Sequence, residues 1–182
     1  YPRSAYLRSA AALLNPAPRA ETGPKLGTVA PDIEFFELTG TAKGRLSDYQ
    51  GKVIILDFWA GWCGPCIQPM TAIQTYPSKY PEWGEQVEIL AVSMDDSIAK
   101  AAAAGKARGW NISHNVWGGE GRYQSPAAKT YDVHSIPRTF VIDRNGRIVQ
   151  RGNPRAMDLP AIVNGLLPKK QPPPGPISGS PP

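Results

Sequence analysis

Short apolar runs recur along the middle of the chain, and longer segments with helix signals separate them. Three of the runs, at residues 53–58, 87–94 and 139–143, are rich in β-branched residues. Runs of this kind predict strands that are buried on both faces of a sheet. The Arg-Asn-Gly sequence at 144–146 predicts a tight turn from the third run into a further strand at 148–151.

Helices are predicted between and after these strands, at residues 63–76, 97–108 and 159–167. Pro77 and Pro168 follow the first and the last of these segments and are expected to end them, because proline does not continue a helix. Strands that alternate with helices favour an α/β fold, in which crossover connections build the sheet.

Composition divides the chain into a basic, Ala- and Pro-rich arm at 1–26, one domain at 27–168 and a Pro-rich tail at 169–182. The formal net charge of +5 belongs to the two flanks, since residues 27–168 hold 14 basic and 14 acidic side chains. No nucleic-acid groove is therefore expected in the domain, while an arm that touches phosphates or anionic lipid is left open. The arm is either solvated, the remnant of a targeting segment, or a contact to a partner. No run approaches the roughly 20 apolar residues that a membrane helix needs.

The chain contains 2 cysteines, Cys63 and Cys66, where the first strand meets the first helix. A bridge across so short a loop adds little loop-closure entropy, which favours exchange chemistry over a structural role. Unpaired backbone N–H groups and the helix dipole stabilise a thiolate at Cys63, the predicted nucleophile. Cys66 lies one turn further, is expected to be more buried and is the predicted resolving cysteine. Gly64 and Pro65 allow the tight turn between them.

Other uses of a Cys-x-x-Cys pair have their own sequence requirements. Haem attachment needs a histidine directly after the second cysteine, where the chain has Ile67. A structural zinc site needs four ligands, and His114 and His134 do not form a zinc-binding pair, so no metal is expected. A peroxidatic cysteine of the peroxiredoxin kind needs Pro and Thr at the positions of Leu56 and Ala60. Inert structural cysteines and a peroxidase-like redoxin are alternatives left open at this point.

Residues 57–66, with the sequence Asp-Phe-Trp-Ala-Gly-Trp-Cys-Gly-Pro-Cys, resemble a thioredoxin active site. Further segments resemble the TlpA/ResA-like thioredoxin subfamily, at 27–32, 46–52, 91–95 and 135–146. The resemblance covers about residues 27–166. It implies a thioredoxin-like α/β fold, with a central mixed β-sheet flanked by helices and with the extra strand–helix elements of that subfamily.

The resemblance also implies a substrate site. Ile136-Pro137 is expected to be a cis peptide that faces the cysteine pair and leaves the backbone of Ile136 exposed to pair with an extended substrate. Trp62 is expected to shield the disulfide. Together with Gly64 and Pro65, it is expected to line the substrate site.

Asp57 lies on the first predicted strand, where an unpaired carboxylate tends to hold its proton. In thioredoxins the matching acid is thought to help move the proton of the resolving cysteine, so Asp57 is expected to do this for Cys66. The chain departs from the thioredoxin pattern at Ala91, where thioredoxins carry a lysine near this acid. It also departs at Pro69, which is expected to remove a helical hydrogen bond and to alter the exposure of Cys66 and the redox potential.

The predicted function is that of a thiol–disulfide oxidoreductase that reduces protein disulfides, with no cofactor other than its redox-active disulfide. Protein disulfides and an upstream thiol reductase are the expected partners. The alternative is a thioredoxin-fold subunit that serves as a scaffold in a larger protein complex, which it contacts through residues 1–26 and 169–182. The expected location is extracytoplasmic, in a bacterial periplasm or at a membrane, with a mitochondrion or plastid as the alternative.

Overall fold

The computed structural model of the protein describes residues 22–39, 42–111 and 114–168. The strands in these ranges are β1 (Glu34–Glu37), β2 (Lys43–Arg45), β3 (Val53–Trp59), β4 (Val87–Ser93), β5 (His114–Trp117), β6 (Arg138–Ile142) and β7 (Ile148–Gly152). They form a seven-stranded sheet in the spatial order β2-β1-β5-β4-β3-β6-β7. Both parallel and antiparallel pairs occur in it.

The α-helices in the same ranges are α1 (Ile67–Lys79), α2 (Ile98–Ala107), α3 (Pro126–Thr130) and α4 (Leu159–Leu166). The predicted fold class, a mixed sheet flanked by helices in a thioredoxin-like arrangement, is confirmed. The hairpin of β1 and β2 at one edge of the sheet, and the α2–β5 unit that joins β4 to that edge, account for the predicted extra elements.

β3 lies at the centre of the sheet, and all 7 of its residues are buried. It pairs in parallel with β4 and in antiparallel fashion with β6. Leu56 and Phe58 enter the hydrophobic core on one face of the sheet, whereas Val53 and Ile55 enter the core on the other face. Burial on both faces explains why the strand is apolar throughout except for Asp57.

The predicted helix at 97–108 is observed as α2, between caps that its sequence supplies. The Ser97 hydroxyl oxygen accepts a hydrogen bond from the backbone N–H of Lys100 at 3.3 Å, which caps the amino terminus. Gly109 follows the helix with a φ of 67°, the left-handed conformation that commonly ends helices.

The first predicted helix begins later than its sequence pattern indicates. Gly64–Cys66 form a 3-10 turn, and the α-helix starts at Ile67 rather than at Cys63. Pro69 lies in the first turn and has no N–H to donate to the carbonyl of Pro65. Its effect on the redox potential stays a prediction. Cys66 itself is fully buried.

The same helix also continues past Pro77, so the predicted end of α1 is wrong as well. α1 ends at Lys79, and the backbone N–H of Tyr80 donates to the carbonyl of Tyr76 at 2.8 Å. Both tyrosine rings pack against the buried Trp83. This aromatic cluster holds the last turn together although Pro77 donates no hydrogen bond.

The three-zone division of the chain stays a prediction, because residues 1–21 and 169–182 lie outside the described ranges. Residues 22–26 of the predicted arm pack against the domain. The Arg151 guanidinium donates to the carbonyls of Gly23 and Pro24, at 3.2 Å and 2.6 Å. No helix among the described residues has the length and apolar character needed to cross a bilayer.

Candidate active site

The two cysteines follow the carboxyl end of β3 and form a disulfide, with their Cα atoms 5.4 Å apart. Cys63 has an extended backbone conformation directly before the 3-10 turn. Cys63 is 5% exposed, whereas Cys66 is fully buried, which is the predicted order. An approaching partner therefore meets Cys63 first.

The Ile136–Pro137 peptide bond is cis, as predicted. It directly precedes β6, and the antiparallel pairing of β6 with β3 brings it to the end of β3 that leads into the cysteines. The carbonyl oxygen of Ile136 lies 3.8 Å from the sulfur of Cys63. The cysteine and the backbone before the cis proline are therefore neighbours, although 73 positions separate them in the sequence.

Asp57 is fully buried. The register of β3 and β6 places it opposite Thr139, whose hydroxyl donates a hydrogen bond to Oδ1. Oδ2 has no hydrogen-bond partner among the described residues. Burial raises the pKa of Asp57 to about 7, against the smaller lowering effect of the Thr139 hydrogen bond. The residue opposite Asp57 on β4 is Ala91, which supplies no charge to offset the burial.

The two tryptophans near the cysteines have different environments. Trp59 is fully buried and packs edge-on against Trp110, with ring centroids 5.2 Å apart. It is a core residue. Trp62 is 45% exposed beside Cys63, and its ring contacts the edge of Tyr123 at a centroid distance of 6.1 Å. Trp62 therefore presents an apolar surface next to Cys63.

Gly61, which precedes Trp62, is held by two side chains. Its N–H donates to Oδ2 of the buried Asp95 at 2.9 Å, and its carbonyl accepts from Nη2 of Arg108 at 3.0 Å. A Cβ atom at position 61 would lie 2.6 Å from the Cβ of Ala104, so this packing requires glycine. The loop that leads to the cysteines is thus fixed against α2 and the segment before it.

The structure brings the predicted site residues together from two parts of the chain. Asp57 and the segment 62–66 come from β3 and the turn after it, and Ile136–Pro137 comes from the loop before β6. Sequence reasoning missed Asp95 and Thr139. They contact Gly61 and Asp57 across 34 and 82 positions, so no local pattern marks them.

Across residues 22–39, 42–111 and 114–168, no group of three or more His, Cys, Asp or Glu side chains is arranged to hold a metal ion. The arrangement supports thiol–disulfide exchange through Cys63, next to a buried carboxyl group whose pKa is raised to about 7.

The sequence model of the Redoxin family matches residues 25–164, which include the sheet and the cysteine pair. The thiol-disulfide oxidoreductase ResA of Geobacillus kaustophilus is 33% identical over 130 residues, 71% of this chain and 70% of that protein. A solved structure from Bacteroides vulgatus, described as a thiol-disulfide oxidoreductase, is 27% identical, with a TM-score of 0.67 over 79% of this chain and 97% of that one. A solved structure from Chlorobium tepidum, described as the thiol:disulfide interchange protein DsbE, is 30% identical, with a TM-score of 0.60 over 71% and 86% of the two chains.

Proposed function

Since this chain belongs to the Redoxin family and is a thiol–disulfide oxidoreductase, we propose that it reduces protein disulfides, with Cys63 as the attacking thiolate and Cys66 as the resolving thiol. One observation carries the proposal. Cys63 keeps a 5% exposed surface beside the Ile136 carbonyl, whereas Cys66 is fully buried. This placement supports a first attack by Cys63 and an internal second attack by Cys66.

The reaction consists of two exchanges. The thiolate of Cys63 attacks one sulfur of the partner disulfide, and the other partner sulfur leaves as a thiolate. The thiolate of Cys66 then attacks the sulfur of Cys63 in the mixed disulfide. This second step forms the 63–66 disulfide and releases the remaining partner sulfur, so two electrons pass from the dithiol to the partner.

The second exchange requires that Cys66 lose its proton in a buried site. We assign Asp57 as the acceptor of this proton. Its pKa of about 7 supports the assignment, because a carboxylate with a pKa near the working pH both takes up and returns a proton readily. The unpartnered Oδ2 atom leaves one oxygen available for this transfer.

The partner segment is proposed to lie beside Cys63 as an added strand that pairs with the backbone of Ile136, next to the cis Pro137. The exposed Trp62 supports this placement, since it offers apolar contact next to Cys63. Gly64 and Pro65 form the 3-10 turn between the cysteines and are proposed to line the same site.

Protein disulfides are the substrate class, and an upstream thiol reductase is the proposed electron donor. An extracytoplasmic location is proposed from the resemblance to TlpA/ResA-like proteins. The alternative function, a scaffold that docks through the flanks of the domain, has no support in the comparisons, and most of those flanks lies outside the described residues.

The test is insulin reduction with a thiol donor by wild type, Cys63→Ser and Cys66→Ser, together with the redox potential of the 63–66 pair. We expect a potential near that of thioredoxin, about −270 mV, and no turnover by Cys63→Ser. Cys66→Ser should accumulate a mixed disulfide through Cys63 that gel electrophoresis detects. Turnover by Cys63→Ser, or a wild type that leaves insulin intact, would overturn the proposal.

A further inference from the structure

The indole of Trp62 contacts two side chains of the segment 119–124. The Arg122 guanidinium lies over the ring, 5.2 Å from its centroid, in a cation–π arrangement. Tyr123 contacts the same ring edge-on, with an angle of 67° between the ring planes. The indole remains 45% exposed despite these contacts. The indole is therefore held by the protein and still offers exposed surface to a partner.

Arg122 is itself held in place by Asp96, which lies just before α2. Its Nε donates to Oδ1 of Asp96 at 2.6 Å, and its Nη2 donates to Oδ2 at 3.1 Å. This two-point pairing fixes the plane of the guanidinium as well as its position. Lys100 also donates to Asp96, at 2.8 Å.

The backbone of Arg122 adopts a conformation that non-glycine residues rarely use. Its φ is 54°, and it follows Gly121, whose φ is 96°. A left-handed residue of this type persists only where surrounding contacts hold it. The contacts present are the pairing with Asp96 and the stacking on Trp62.

The backbone on the other side of Trp62 is also fixed, since Asp95 and Arg108 hold Gly61. Trp62 is thus restrained through both its main chain and its side chain, although it is 45% exposed. All these restraints come from Asp95, Arg108 and the 3-10 turn Arg122–Gln124, which follow β4 and precede α3.

We propose that Arg122 is a positioning residue, which presets the indole of Trp62 for the docking of protein disulfides. This inference rests on the proposed function. Arg122 acts through Trp62 and takes no part in the exchange of electrons. Its loss therefore weakens docking, measured as KM for a protein disulfide, and leaves the redox potential of the 63–66 pair unchanged.

The experiment is a double-mutant cycle with Arg122→Ala and Trp62→Ala, in which KM and kcat for insulin are measured. We expect Arg122→Ala to raise KM about two- to five-fold, the range of an exposed cation–π contact, with kcat and the potential unchanged. In the Trp62→Ala background, the same change at position 122 should have no further effect on KM, because its only route of action has been removed.

Matched variants separate positioning from a general loss of structure. Tyr123→Phe keeps the ring that contacts Trp62 and should leave KM unchanged. Arg144→Ala removes an arginine at the opposite end of β6 and should also have no effect. Arg122→Lys keeps the cation but loses the planar two-point pairing, so its KM should fall between wild type and Arg122→Ala. Arg122→Lys also provides the test if Arg122→Ala fails to fold.

Several results would overturn the inference. One such result is a KM for insulin that is unchanged in both Arg122 variants. Another is a shifted redox potential of the 63–66 pair, and a third is an equal increase in KM for Arg122→Ala in the wild-type and Trp62→Ala backgrounds. A parallel slowing of cystamine reduction would do so as well, since this small disulfide needs no docking surface. If the wild-type protein leaves insulin intact, both the proposed function and this inference are overturned. If the wild-type protein reduces insulin but its KM does not change when Arg122 is substituted, only this inference is overturned.

Discussion

Asp57 and His114 are both ionisable residues of the central sheet, but they differ in burial and in the charged groups around them. Asp57 is fully buried, has an oxygen without a partner among the described residues, and faces Ala91 on the adjoining strand. His114 is half-buried at the start of β5, with its Nε2 2.8 Å from Glu37 and its Nδ1 2.8 Å from the Tyr49 hydroxyl.

The carboxylates around His114 compensate for its burial. Glu88 on β4 and Glu37 on β1 raise the pKa of His114, against the lowering effect of burial. The charged imidazole is therefore stabilised where β1, β4 and β5 meet. At Asp57 burial dominates, and the pKa rises because the charged form is penalised. A charged group that is buried near the cysteines with no opposite charge beside it is typical of a functional residue. A buried group that is paired with opposite charges away from the cysteines is typical of a structural residue.

The largest expected effect is on stability at Asp57. Its pKa in the folded state, about 7, exceeds its ordinary value of 3.8, so the folded state holds the proton more tightly than the unfolded state. Its contribution to stability therefore falls as pH rises from about 4 to about 7, by up to about 4 kcal/mol. Asp57→Asn should be more stable than wild type at pH 8 and similar to it at pH 4, as measured by urea unfolding. A stability difference that does not vary with pH would contradict this account.

The next effect is on the second exchange step. Asp57→Asn should slow the resolution of the mixed disulfide by about 100-fold, because Cys66 loses its proton acceptor. Stopped-flow measurement of mixed-disulfide decay tests this. The first attack by Cys63 serves as the internal control and should change much less. If the first attack by Cys63 and the resolution by Cys66 slowed equally, Asp57 would not be the proton acceptor of Cys66.

His114→Gln should differ most from wild type at low pH, whereas Asp57→Asn should differ most at high pH. The raised pKa of His114 means that its ion pairs stabilise the protein fully below its ordinary pKa of 6.5 and that this contribution is lost as pH rises through the folded-state pKa. The variant should be about 1 kcal/mol less stable than wild type at pH 5.5, with a smaller difference at pH 9. Insulin reduction at neutral pH should be unaffected. A variant that loses activity but keeps its stability would show that His114 is a functional group rather than a structural one.

The smallest effect is expected at Thr139, whose hydroxyl lowers the pKa of Asp57. Thr139→Val should raise the pKa of Asp57 further and move the pH profile of the resolution step upward. Thr139→Ser keeps the hydroxyl and should retain the wild-type profile. An identical shift in both variants would point to altered packing rather than to the hydrogen bond.

Local patterns predicted much of this fold. The apolar runs anticipated β3, β4 and β6, the turn at 144–146 anticipated β7, and the helix predicted at 97–108 is α2. The ends of α1 could not be predicted in this way. Its start depends on the 3-10 turn through the cysteines, and its end depends on the packing of Tyr76 and Tyr80 against Trp83.

The sequence by itself located the chemistry of this protein at Cys63 and Cys66, through their spacing, the strand–helix junction around them and the resemblance of this segment to a thioredoxin active site. The resemblance of the surrounding segments also located the cis proline. Only the tertiary structure decided how the neighbouring groups behave. Asp57 meets Thr139 across 82 positions, and His114 meets Glu37 across 77. Burial and pairing set the charge of such groups, and both depend on contacts that local sequence does not contain.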